Sequence, residues 1–120
     1  MLNSEKTMEK IVEQGLLYDF YGELLTDHQR HVYEDVVFND MSLSEIAEEQ
    51  GISRQGVHDL IKRCDRILAG YEKKLRMVEK FNQTKRMVEE IKTLAGTYKK
   101  NGDMSLIDRI EAISEEIGQL

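Results

Sequence analysis

Residues 42–63, SLSEIAEEQGISRQGVHDLIKR, constrain this chain more than any other stretch, because they read as two short helices joined by one tight corner. Ala47, Gly51 and Val57 stand four and six residues apart. A small side chain in the first helix lets the second approach closely, a glycine supplies the positive φ that the corner requires, and a valine buries between them. Ser42 and Glu45 form an S-x-x-E capping box ahead of the first helix, and Ser53 stands where a hydroxyl caps the second. Ile46, Ile52, Val57 and Leu60 are the expected inward positions. Gln50 falls where an apolar side chain is usual, so its amide has to find a partner or reach the surface. The pattern is that of a helix-turn-helix, motif 43–64, whose recognition helix opens near Arg54.

The remaining sequence is helical in its spacing. With 120 residues, a third of them charged, and neither tryptophan nor proline, the chain suits one helical domain or a small domain with a helical extension. Met8, Ile11, Val12, Leu16, Phe20, Leu24 and Leu25 predict a first helix over about residues 5–25, with Gly15 and Gly22 as places of close approach. Thr26 and Gln29 make a second capping box, opening a helix with Val32, Tyr33, Val36 and Val37 on its apolar face and an end near Phe38. Past the motif, Ile67, Met77, Phe81, Val88, Ile91, Ala95 and Tyr98 follow a heptad-like stripe. That predicts one long helix, or two nearly collinear ones, with Gly70 as the place for a break. Lys99-Lys100-Asn101-Gly102 is a stop signal, and Leu106, Ile110, Ile113, Ile117 and Leu120 mark a last helix, with Ser105 and Asp108 as a weaker cap pair.

The expected fold class is therefore all-α. Residues 1–66 would form the helix-turn-helix domain and residues 67–120 a helical extension made of a long helix and a C-terminal helix. The apolar stripes of the extension need covering, either by folding back or by a second subunit, and a homodimer through 67–120 is expected.

Charge divides the chain. The formal net charge of −6 opposes nucleic acid at long range. Yet residues 1–50 carry three Lys/Arg against twelve Asp/Glu, net −9, while residues 51–120 carry fourteen against eleven, net +3. Within 71–100 the balance is nine against four, net +5. A basic surface thus begins at the recognition helix and continues beyond it. The first ten residues mix charges of both signs, and no apolar stretch reaches membrane length, so a cytoplasmic protein without membrane insertion is expected. Cys64 is the only cysteine; it permits no intrachain disulfide and reads as a small apolar filler.

Residues 24–63, LLTDHQRHVYEDVVFNDMSLSEIAEEQGISRQGVHDLIKR, resemble the C-terminal DNA-reading domain of bacterial sigma factors, in which an L-T-x-x-Q-R helix precedes the same S-x-x-E-I-A corner. With LLYDFYGELLTDHQR ahead of it, the sequence resembles more closely the YlxM family, small helix-turn-helix proteins of Gram-positive bacteria whose genes lie beside signal recognition particle genes. The likeness covers residues 16–75 strongly and the tail in general character. It implies participation in, or regulation of, the signal recognition particle pathway. Two residues depart from a strong DNA reader. Gly56 weakens the recognition helix by roughly 1 kcal/mol relative to alanine. Asp59 puts a negative charge on the face that would meet phosphates.

On duplex DNA, Arg54, Gln55, His58 and Asp59 would stand nearest base edges and Lys62, Arg63 and Arg66 nearer phosphates, with the capping Ser53 counted among the nucleic-acid-binding residues. Arginine forks onto guanine and glutamine onto adenine; Asp59 either accepts from cytosine or pairs with Lys62 or Arg63 on its own helix. All of these could equally form a solvated helix face. The basic residues of 73–100 either line the solvated side of an amphipathic helix or extend a nucleic-acid surface, RNA included, with Tyr71, Phe81 and Tyr98 on the core or dimer side. His28 and His31, beside Asp27, Glu34 and Asp35, have a spacing that can hold a divalent ion. Metal centres need three or four convergent ligands, so no metal site and no cofactor is assigned. There is no Gly-rich phosphate loop and no nucleophile motif, and Glu48-Glu49 and Glu115-Glu116 read as solvated faces, so an enzyme is not expected. Two functions remain. One is a dimeric DNA-binding regulator; the other is an adaptor whose helix-turn-helix contacts a protein or structured RNA, such as a component of the signal recognition particle or of RNA polymerase.

Overall fold

Short-range capping chemistry sets most helix ends in this protein. In the computed structural model, which describes residues 4–120 and side chains from Met8 onward, the Thr26 amide donates to Gln29 Oε1 at 3.0 Å and the Gln29 amide to Thr26 Oγ1 at 3.2 Å. Ser42 and Glu45 exchange the same pair of bonds, both at 3.1 Å. These boxes satisfy amides that the first turn of a helix leaves without partners. The elements that result are α1 (Ser4–Tyr21), a 3-10 turn (Gly22–Leu24), α2 (Asp27–Val37), α3 (Leu43–Gln50), α4 (Arg54–Leu75), α5 (Met77–Asn101) and α6 (Ser105–Gly118). The described residues contain no strand, and the all-α expectation is met. They divide into two units, one ending at Arg76 and one spanning Met77–Leu120.

In the first unit α4 is the spine. It packs against α1, α2 and α3, and buries Val57, Ile61, Cys64 and Leu68 along one face. Opposite them lie Ile46 and Ala47 of α3, Val32, Tyr33 and Val37 of α2, and Leu17, Tyr21 and Leu25. Burial of each large apolar side chain contributes roughly 1.5–3 kcal/mol. Polar bonds fix the register. Asp65 of α4, part-buried, accepts from Tyr33 Oη at 2.7 Å and from Gln14 Nε2 at 3.0 Å, and Lys10 Nζ lies 3.8 Å away. One carboxylate thus ties α1 and α2 to α4. Tyr21 donates to Glu72 at 2.6 Å, and Tyr18 stacks on Tyr33 and donates to Glu34.

Several expectations are corrected here. The first helix ends at Tyr21 rather than Leu25, and a 3-10 turn follows in which Gly22 lies under the Tyr18 ring; a Cβ at Gly22 would come within 2.8 Å of that ring. The face of α1 that buries is Gln14, Leu17 and Tyr21, whereas Met8, Val12 and Leu24 are exposed. Ile52 is not an inward residue; it is 40% exposed, because Gly51 turns the chain outward before Ser53 starts the next helix. Leu60 and Gln50 are half-buried. Gly70 causes no break, since buried Leu68 and Tyr71, stacked on Tyr21, hold the helix through it. The break falls at Arg76, which adopts the left-handed conformation with φ 54°.

In the second unit α5 and α6 pack on each other around one fully buried side chain, Ile113. Ile91, Leu94, Ala95, Tyr98, Leu106, Ile110 and Ile117 are only half-buried. Gly102 (φ 67°) reverses the chain, its amide donating to the Tyr98 carbonyl at 2.7 Å. At the start of α6 the Ser105–Asp108 pair forms no cap, and the side chain that holds Ser105 is that of Asp103. Its carboxylate accepts from the Ser105 amide and hydroxyl at 2.9 and 2.8 Å, and these bonds hold its pKa below the usual range. Arg109 crosses to Glu90 at 3.2 Å.

Candidate nucleic-acid interface

The helix-turn-helix corner closes by backbone rules alone. Gly51 takes φ 68°, ψ 32°, and its amide turns back to the carbonyls of Ala47 and Glu48, as a left-handed helix end requires. Ser53 Oγ then accepts from the Gly56 amide at 2.9 Å and starts α4. Ser53 is exposed, but its side-chain acceptor is committed to this cap. Gly56 suits the same arrangement, for a Cβ there would stand 3.2 Å from the Ser53 hydroxyl.

From this start α4 shows two faces. Val57, Ile61 and Cys64 point into the core, while Arg54, Gln55, His58, Asp59, Lys62, Arg63 and Arg66 are all exposed. Asp59 gathers its neighbours. Gln55 Nε2 donates to its Oδ1 at 2.9 Å and His58 Nδ1 lies 3.8 Å from the same oxygen. The expected alternative pairing of Asp59 with Lys62 or Arg63 is therefore not the one formed. Among the described residues no carboxylate lies within ion-pair distance of Arg54, Lys62, Arg63 or Arg66. The other acidic residue of this stretch, Asp65, is turned to Gln14 and Tyr33. Between Arg54 and Arg66 the exposed face thus carries four cations against one carboxylate, over about 18 Å of helix at 1.5 Å per residue. The outer side of α3 has the opposite sign, with Glu45, Glu48 and Glu49 exposed.

Other candidate residues are placed as follows. Cys64 has no exposure, and burial pushes its thiol up to about 11, which removes the thiolate at neutral pH. Tyr71 is half-buried and stacked on Tyr21. In α5, Lys85 lies over the Phe81 ring at 5.4 Å. His28 is exposed and, among the described residues, stands outside any ligand group, whereas His31 Nε2 lies 3.5 Å from Asp35 Oδ2 and 3.7 Å from Glu49 Oε1. That convergence was not visible in the sequence, because Glu49 arrives from a different helix. Among the described residues no helix is long and apolar enough to cross a membrane.

Comparison with known proteins agrees with this geometry. The model of the family UPF0122, described as "Putative helix-turn-helix protein, YlxM / p13 like", matches residues 8–109. A UPF0122 protein of Shouchella clausii is 40% identical over 107 residues, covering 88% of this chain and 98% of its own length. One from Caldanaerobacter subterraneus is 52% identical over 77 residues, 64% of this chain and 66% of its own length. The UPF0122 protein YlxM of Bacillus subtilis is 39% identical over 108 residues, 89% of this chain and 98% of its own.

Proposed function

The chain belongs to the UPF0122 family of YlxM/p13-like helix-turn-helix proteins, and from that premise we propose that it binds duplex DNA through α4 and acts in the cytoplasm as a non-catalytic regulator. The observation that supports this is the outward face of α4, where Arg54, Lys62, Arg63 and Arg66 have no carboxylate partner among the described residues. Arg54, Gln55 and His58 would meet base edges, and Lys62, Arg63 and Arg66 phosphates. A link to the signal recognition particle pathway is what the resemblance to the YlxM family implies.

A homodimer through residues 67–120 is part of the same proposal. The α5–α6 pair leaves most of its apolar side chains half-buried, as a two-helix hairpin must, and a second hairpin would cover them. Two subunits would then present two recognition helices to paired half-sites.

Salt dependence is the test. Fluorescence anisotropy on labelled duplexes should give a log-log slope of about −0.9 per phosphate neutralised. Lys62→Ala should reduce the slope by about one unit. Arg54→Ala should weaken the preferred sequence by about 1–3 kcal/mol with little change in slope.

A second function is favoured by a specific observation, the acidic outer side of α3 formed by the exposed Glu45, Glu48 and Glu49. A helix that crosses a DNA backbone would bring those carboxylates toward phosphates. An adaptor contacting a basic protein or a structured RNA, such as a component of the targeting particle or of RNA polymerase, would not suffer that repulsion in the protein case. Absence of duplex binding at low salt decides for the adaptor.

A further inference from the structure

We propose that His31 and Asp35 of α2, together with Glu49 of α3, form a binding site for one divalent transition-metal ion of the zinc or cobalt class, joining the first helix of the helix-turn-helix to the helix before it. The donor atoms already converge. His31 Nε2 is 3.5 Å from Asp35 Oδ2 and 3.7 Å from Glu49 Oε1, and all three donors lie within 4.8 Å of one another. Metal bonds of about 2.0–2.2 Å in tetrahedral geometry set donors roughly 3.3–3.6 Å apart. The His–carboxylate edges are therefore close to their bound lengths.

Helix geometry explains the placement. His31 and Asp35 are one turn apart and share a face of α2, and Glu49 reaches them from the last turn of α3. Asp35 is buried, and its other oxygen, Oδ1, accepts from Asn39 Nδ2 at 2.9 Å. That bond leaves Oδ2 aimed at the imidazole, as the supporting contacts of ligand carboxylates do. Among the described residues, no lysine or arginine lies within ion-pair reach of Asp35 or Glu49; the nitrogen beside them is that of His31. Two carboxylates held close, with an imidazole nitrogen between them, favour a small divalent cation. One nitrogen and two oxygens suit zinc, cobalt, nickel or manganese, and three protein donors are too few for calcium. His31 and Glu49 are about half exposed, so water completes the shell.

The experiment uses tag-free, full-length protein stripped with EDTA and dialysed. Titration with zinc chloride by calorimetry, and with cobalt chloride by visible absorption, should show one saturable ion per chain and a rise in melting temperature. His31→Gln and Glu49→Gln should each weaken binding at least tenfold and remove the thermal shift, with helix content by circular dichroism unchanged. Asn39→Ala should weaken it about tenfold, and His28→Gln should bind as the parent does. Absence of saturable binding up to millimolar ion, parental affinity in His31→Gln, or loss of binding in His28→Gln would each overturn the site.

Discussion

At the scale of single residues, Asp65 links three helices of the first unit. It accepts two hydrogen bonds from side chains of different helices, so Asp65→Ala leaves both the Tyr33 hydroxyl and the Gln14 amide without their acceptor. The expected cost is about 2–4 kcal/mol in urea unfolding. Asp65→Asn, which keeps an acceptor oxygen, should cost less. Asp65 was legible in the sequence only as one charge among many, because its partners lie 51 and 32 residues away. Cys64, by contrast, was legible as a buried filler. Its labelling by a thiol reagent at pH 8 should be limited by opening of the first unit and should accelerate sharply in urea.

At the scale of elements, what was legible followed from local chemistry. The two capping boxes and the Gly51–Ser53 corner depend on bonds between residues three or four apart, and all three form as the spacing predicts. Ser53→Ala should therefore cost about 1 kcal/mol, and Gly51→Ala about 1–2 kcal/mol because it forces a Cβ into φ 68°. A ratio of urea midpoints against the parent checks both. The buried face of the first predicted helix, residues 5–25, was not legible, for a physical reason. Leu16-Leu17, Phe20-Tyr21 and Leu24-Leu25 are adjacent apolar pairs that offer two faces, and tertiary packing chose Leu17, Tyr21 and Leu25. The exposed charged face of α4 was legible in outline, since the helix has one apolar stripe and the charged residues lie away from it. The pairing of Gln55 and His58 with Asp59 was not, because several rotamers serve such an exposed group equally well.

For the whole molecule, alkaline pH is the informative variable. Burial and neighbouring carboxylates raise Cys64 from its ordinary 9.0 to about 11 and Tyr18 from 10.0 to about 12, and raise Tyr33 further. In each case the folded chain holds its proton more tightly than the unfolded chain. The associated stability is fully present below the unfolded values and is lost as pH climbs through the folded ones. Urea midpoints should be level to about pH 9 and fall between pH 9 and 12. Sedimentation equilibrium at neutral pH addresses assembly, with the full chain expected at dimer mass and a truncation after Lys100 at monomer mass.

The distribution of aromatic rings has its own consequence. The chain has no tryptophan and five tyrosines, of which Tyr18, Tyr21, Tyr33 and Tyr71 pack in the unit that ends at Arg76 and only Tyr98 lies in the other. Near-ultraviolet absorbance therefore watches the half that carries α4 almost alone, whereas amide dichroism sums over both. Superposed melting curves from the two wavelengths would mean a single cooperative transition, and displaced ones would time the loss of each half separately without any label being introduced.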